Sequence, residues 1–153
     1  MRTFKIMVDG PGGCGKTIFT NSLTKDFSGV YVRTLGCEIE PVRFGGVCFN
    51  MWDMAGHEQF RGLGDAYFAQ AQGIFICFDL SQQQSLIQAL NRVNDLGQEV
   101  PIVILGLKKD ICDPRVKALA DDFFANYTYL EVSCKTRENV ERAFGLMKNL
   151  VNL

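Results

Sequence analysis

No run in this 153-residue sequence approaches the roughly 20 consecutive apolar residues of a helical membrane span, which excludes that class. Basic runs are missing too. Lys and Arg number 16 against 17 Asp and Glu, a net charge of −1, so direct nucleic-acid binding and adhesion to anionic lipid lack an electrostatic footprint. The six cysteines (14, 37, 48, 77, 112 and 134) form no C-x-x-C pair and mostly lie within apolar runs. That argues against a disulfide framework or a zinc site and for reduced thiols in an intracellular protein. The N-terminus lacks the apolar core of a signal peptide, and Asn149-Leu150-Val151-Asn152-Leu153 offers no prenylation cysteine. Internal repeats, low-complexity segments and interdomain linkers are absent. Hydrophobic residues make up 47% and charged residues 22%, a globular balance. The expectation is one soluble, monomeric domain over residues 1–153 without a membrane anchor.

What is present is a Gly-rich stretch, Gly10-Pro11-Gly12-Gly13-Cys14-Gly15-Lys16-Thr17, which satisfies G-x-x-x-x-G-K-[ST] at every required position. An alternating run over 3–9 precedes it as a strand, and 17–25 follows as a helix beginning Thr17-Ile18. Such a strand–loop–helix aims backbone N–H groups and a helix N-terminus at one point, an anion site. Lys16 supplies charge for the β and γ phosphates, and the Thr17 hydroxyl can ligate Mg²⁺. An ordinary Gly-rich turn is the bland alternative, but it rarely has the right strand before and helix after.

The rest of the chain alternates strands and helices. Residues 27–36 have no clean period and read as a loop. Runs 38–44 and 47–53 flank Gly45-Gly46, a two-residue hairpin signal, and Pro41 places the first on an edge. A loop over 54–64 leads to a short helix ending near Gln72. Residues 73–80 and 101–107 read as buried parallel strands. Leu86, Leu90 and Val93 stripe a helix between them. Asp113-Pro114 starts another helix, with Val116, Leu119, Ala120 and Phe123 on one face. A strand over 129–132 precedes a final helix striped by Val140, Ala143, Phe144, Met147 and Leu150. The fold class is α/β, a mostly parallel six-stranded sheet with one antiparallel edge strand and helices on both faces.

Ligands bind such sheets at the carboxyl ends of the strands. Asp53, ending an apolar strand before Met54-Ala55-Gly56, stands where a carboxylate reaches Mg²⁺ through water. Lys108-Lys109-Asp110 and Ser133-Cys134-Lys135 follow the last two strands.

On these motifs the chain resembles a small GTPase of the Ras superfamily, a P-loop NTPase G domain that binds GTP or GDP with Mg²⁺. The resemblance implies that Asp110 bonds the guanine N1–H and exocyclic amine, that Lys108 lies along the base, and that the Cys134 N–H meets O6 within the Ser133–Lys135 run. It further implies that Phe27 packs on the guanine edge. Thr34 would bring a hydroxyl to Mg²⁺ and, like Gly56, an N–H that senses the γ-phosphate. His57 falls at the position of the water-orienting glutamine. Loops 27–36 and 54–64 would be the switches that meet effectors and regulators.

Within the superfamily the sequence is most similar to the Ran branch, the nuclear-transport GTPases, through Thr34-Leu35-Gly36-Cys37-Glu38-Ile39-Glu40-Pro41, Ala69-Gln70-Ala71-Gln72 and residues 108–117. Nuclear or cytoplasmic residence follows from that analogy alone. Four departures stand out. Leu107 replaces the Asn that in the family ties the base-reading loop to the phosphate loop and to the purine, and Leu is expected to do neither; His57 replaces glutamine. Asp121-Asp122-Phe123-Phe124-Ala125-Asn126 occupies the place of a basic patch, and the sequence carries no C-terminal extension or acidic tail. Slow hydrolysis is expected, with a GTP-locked Ran-mimicking binding module or a pseudo-GTPase as alternatives. A nucleoside monophosphate kinase would need an Arg-lined lid and a second nucleotide pocket, which the sequence does not offer.

Overall fold

In the computed structural model, residues 1–23, 30–32, 37–53, 70–96 and 100–152 are described. They build one seven-stranded sheet from β1 (Arg2–Asp9), β2 (Val30–Val32), β3 (Cys37–Phe44), β4 (Val47–Asp53), β5 (Gly73–Asp79), β6 (Ile102–Leu107) and β7 (Tyr129–Glu131). The helices are α1 (Lys16–Thr20), α2 (Gln83–Leu96), α3 (Pro114–Phe123) and α4 (Val140–Val151), with a 3-10 turn at Lys109–Ile111. The strand order is β2-β3-β4-β1-β5-β6-β7. Every pair from β4 to β7 is parallel, whereas β2–β3 and β3–β4 are antiparallel.

The six strands read from the sequence are all there, and β2 is a seventh within the stretch read as a loop. It pairs only Val30, Tyr31 and Val32 with Ile39, Glu38 and Cys37. Three residues are too short to show a period, so pairing with β3 decides their conformation. Pro41, which lacks an N–H, lies beyond the stretch of β3 that β2 covers. The β3–β4 turn falls at Gly45-Gly46, both with positive φ, as a two-residue hairpin of this twist requires.

Two apolar layers sandwich the sheet. Phe19 of α1 and Val140, Ala143, Phe144 and Met147 of α4 pack against Phe4, Ile6, Val8, Phe49 and Phe75. The Phe19 and Phe144 rings stack with centroids 4.9 Å apart. Across the sheet, Leu86, Ala89 and Val93 of α2 and Val116 and Ala120 of α3 cover Met7, Ile74, Ile76, Phe78 and Ile104. All seven residues of β5 are buried, which explains its unbroken apolar sequence.

Two local readings need correction. The first helix stops at Thr20, and 21–23 form a turn. Ser22 turns its hydroxyl back onto the Phe19 carbonyl at 2.6 Å and its N–H onto the same oxygen at 3.1 Å, which competes with helix continuation. Residues 24 and 25 lie outside the described residues, as does most of the short helix expected to end near Gln72; its described end is not helical, Gln70 being a turn residue with φ 63°. In α3, Phe123 is 39% exposed and its neighbour Phe124 is the core residue. Asp113 caps that helix as expected, accepting the Arg115 N–H at 2.9 Å.

Candidate functional site

Strand β1 lies between β4 and β5, and the helices that follow β1 and β5, α1 and α2, pack into the apolar layers on opposite faces of the sheet. That is the switch point at which a crevice opens beyond the carboxyl ends of the strands. The register aligns those ends: Val8 pairs with Asp53, Asp9 with Ile76, Asp79 with Leu107 and Gly106 with Glu131. The phosphate loop, Asp53, Lys108–Asp110 and Ser133–Lys135 are thereby gathered along one edge.

Gly10 opens the loop with φ +147°, and a Cβ there would stand 2.3 Å from the Cys77 carbonyl oxygen. No other residue lets the chain turn so close to β5. Lys16 is buried, and its ammonium donates to the Gly10 and Pro11 carbonyls, the latter at 3.4 Å. Cys14 is buried within the loop, and burial pushes its thiol up to about 11 despite the nearby Lys16, so it stays protonated at neutral pH. Burial likewise pushes the Cys77 thiol well above its usual range.

Thr17 donates its hydroxyl to Asp53 Oδ2 at 2.6 Å. A hydroxyl and a carboxylate thus converge at the loop's end, a hard-oxygen set that suits Mg²⁺. Thr17 and Asp53 fit the metal positions read from the sequence. Thr34, the third, lies outside the described residues together with Phe27, Gly56 and His57.

Two cavities adjoin here. One, of about 400 Å³, is lined by Gly12, Gly13, Gly15, Lys16, Thr17, Ile18 and Lys108. The other, of about 360 Å³, is bounded by Gly15, Ile18, Leu107, Lys108, Asp110, Ile111, Cys134 and Lys135. They share Gly15, Ile18 and Lys108. Ile18 is 64% exposed, a large apolar side chain held at the junction.

Lys108 has left-handed backbone geometry, φ 59° and ψ 41°, which costs a non-glycine residue free energy. The conformation sends its ammonium to the Gly13 carbonyl at 2.8 Å and to Asp79 Oδ2 at 3.0 Å. The Leu107 side chain has no polar group with which to tie this loop to the phosphate loop; Lys108 joins the two directly. Leu107, 2% exposed, also comes close to Gly15: its Cδ1 is 3.4 Å from where a Gly15 Cβ would sit.

Asp110 accepts the Ser133 hydroxyl at 2.8 Å, and the Ser133 oxygen accepts the Thr136 N–H at 3.1 Å. The Lys109 N–H reaches the Val132 carbonyl at 3.0 Å, and the Lys109 ammonium pairs with Glu138. These contacts hold the 108–110 and 133–135 segments side by side. Burial raises the Cys134 thiol above its ordinary range, outweighing the Arg137 charge.

Asp79 was not singled out in the sequence, although it ends an apolar strand just as Asp53 does. Burial alone would raise its pKa. Hydrogen bonds from the Ser81 hydroxyl and N–H, at 2.6 and 2.8 Å, and the Lys108 ammonium instead hold it below the usual carboxylate range.

A mostly parallel sheet with a Lys-Thr phosphate loop at its switch point defines a P-loop nucleotide-binding domain. The Ras family model matches residues 5–152, and the chain belongs to that family. It is a small GTPase of the Ras superfamily, a GTP-binding switch.

Proposed function

We propose that this domain is a Ran-like switch that binds GTP or GDP with Mg²⁺ and hydrolyses GTP slowly. The observation that carries the guanine reading is the second cavity. Asp110, oriented by Ser133, lines it beside Lys108 and Cys134 and directly adjoins the phosphate loop. A carboxylate accepts two N–H donors at once, which the guanine edge offers and adenine does not. Lys16 and the loop N–H groups receive the phosphates.

Thr17 and Asp53 would hold Mg²⁺, Asp53 through water and Thr34 joining from loop 27–36. When bound, the ion neutralises charge on the β and γ phosphates. Thr34 and Gly56 would order loops 27–36 and 54–64 around the γ-phosphate, and those ordered loops would meet effectors and regulators. The similarity to Ran rests on the three sequence runs named above, and nuclear or cytoplasmic work in transport follows only from it.

His57 favours a second reading, a GTP-locked module whose output is occupancy of partners. A glutamine offers an acceptor to water and a donor to phosphate together, whereas imidazole carries them on opposite sides of a rigid ring. Single-turnover GTP hydrolysis separates the two. Slow but measurable turnover supports the switch, and none within the lifetime of the complex supports the locked module.

A further inference from the structure

The ion pair between Asp9 and Arg92 joins α2 to the start of the phosphate loop, and no part of the nucleotide reading accounts for it. Asp9 is the last residue of β1. One carboxylate oxygen, Oδ1, accepts the Gly10 N–H at 2.8 Å, and the other, Oδ2, meets Arg92 Nε of α2. The carbonyl of the same Gly10 accepts the Lys16 ammonium. The connection therefore runs from α2 through Arg92, Asp9 and Gly10 to the phosphate-binding lysine.

A carboxylate at this place is a liability. It puts negative charge one residue from a loop built to receive negative charge, where the loop's amides, Lys16 and Lys108 gather. The side chains of Arg92 and Asp9 are only 28% and 15% exposed, so water screens the pair less than a surface ion pair. We propose that Arg92 is a positioning residue for the phosphate loop. It neutralises Asp9 and holds its carboxylate on the Gly10 N–H, so that α2 sets the loop's affinity for the charged end of the nucleotide. This rests on the guanine-nucleotide reading above.

The electrostatic role makes a demand that a purely structural one does not. Removing Arg92 exposes the Asp9 charge, so the defect must grow with the charge of the ligand and vanish when Asp9 is neutralised. Asn at position 9 keeps an oxygen for the Gly10 N–H, and Lys at 92 keeps the charge. The test measures the affinity of wild type, Arg92→Ala, Arg92→Lys, Asp9→Asn and the double variant Asp9→Asn/Arg92→Ala for GDP and a non-hydrolysable GTP analogue.

Arg92→Ala should weaken GDP binding about fivefold, between the effects of surface and buried pairs, and the GTP analogue further. Arg92→Lys should retain most of the affinity. Asp9→Asn should bind at least as tightly as wild type, and the double variant should return to within about twofold of wild type, since the charge needing neutralisation is gone. An Arg92→Ala defect equal for both nucleotides, or one that Asp9→Asn leaves in place, overturns the proposal while the guanine reading stands. Failure of wild type to bind guanine nucleotide overturns both.

Discussion

Replacing Leu107 by Asn should make the domain less stable when empty and more dependent on its nucleotide. Leu107 is 2% exposed, belongs to the core layer with Val8, Cys14 and Leu105, and comes close to Gly15. Burying a leucine contributes about 1.5–3 kcal/mol, and a buried amide without partners adds to the loss, so the empty variant should lose about 2–3 kcal/mol. For a domain of this size that corresponds to a fall in Tm of roughly 5–10 °C. With guanine present the Asn amide can bond the purine and the phosphate loop. Two neutral hydrogen bonds should strengthen GDP binding by about 1–3 kcal/mol, one to two powers of ten. At saturating GDP that gain is added to folding stability and largely offsets the loss. Thermal denaturation of both proteins over a GDP series tests this, with ADP as control. The reasoning fails if empty Leu107→Asn melts with wild type, or if GDP raises its Tm no more than that of wild type.

Lys16→Ala should abolish measurable nucleotide binding, because the loop would lose its only cationic side chain; wild-type affinity in the variant would refute the phosphate assignment. Chelating Mg²⁺ should speed GDP release from wild type, and Thr17→Ala should release GDP at that fast rate with or without the metal. A Thr17→Ala rate that still responds to Mg²⁺ as wild type does would place the metal elsewhere. Intrinsic GTP hydrolysis should run at or below about 10⁻⁴ per second, and His57→Gln should be faster. If His57 approaches the γ-phosphate, wild-type turnover should vary between pH 5.5 and 8 around an imidazole pKa of about 6.5. A glutamine variant no faster at any pH would clear His57 of responsibility. Asp79, held below its unfolded pKa, stabilises the fold above the ordinary carboxylate pKa, and that contribution is lost as pH falls through the folded value. Asp79→Asn should therefore flatten the acid limb of the stability profile, which urea titrations between pH 2 and 7 would show.

The phosphate loop and the parallel strands were legible because local pattern alone determines them. Gly10-to-Thr17 is a contiguous motif, and the apolar runs of β5 and β6 can be buried on both faces only inside a sheet. Gly45-Gly46 likewise announced its hairpin, since few other dipeptides accept that turn. What escaped depends on distant partners. Strand β2 exists through pairing with β3, and α1 ends early because Ser22 bonds back to Phe19. Phe123 and Phe124 are equally apolar, and only the close of α3 decides which enters the core. In the site, Asp53 was found through its motif, whereas Asp79 waits on Lys108 and Asp9 on Arg92, partners that only the fold brings near.

The central claim is that this domain selects guanine nucleotides, and the nucleotide that purifies with it tests that most directly. Protein isolated in Mg²⁺-containing buffer, denatured and resolved by ion-exchange chromatography, should release guanosine di- or triphosphate at close to one equivalent. An adenine nucleotide in its place, or a bare protein that on titration prefers ADP to GDP, would contradict the assignment of Asp110 and Ser133 to the base.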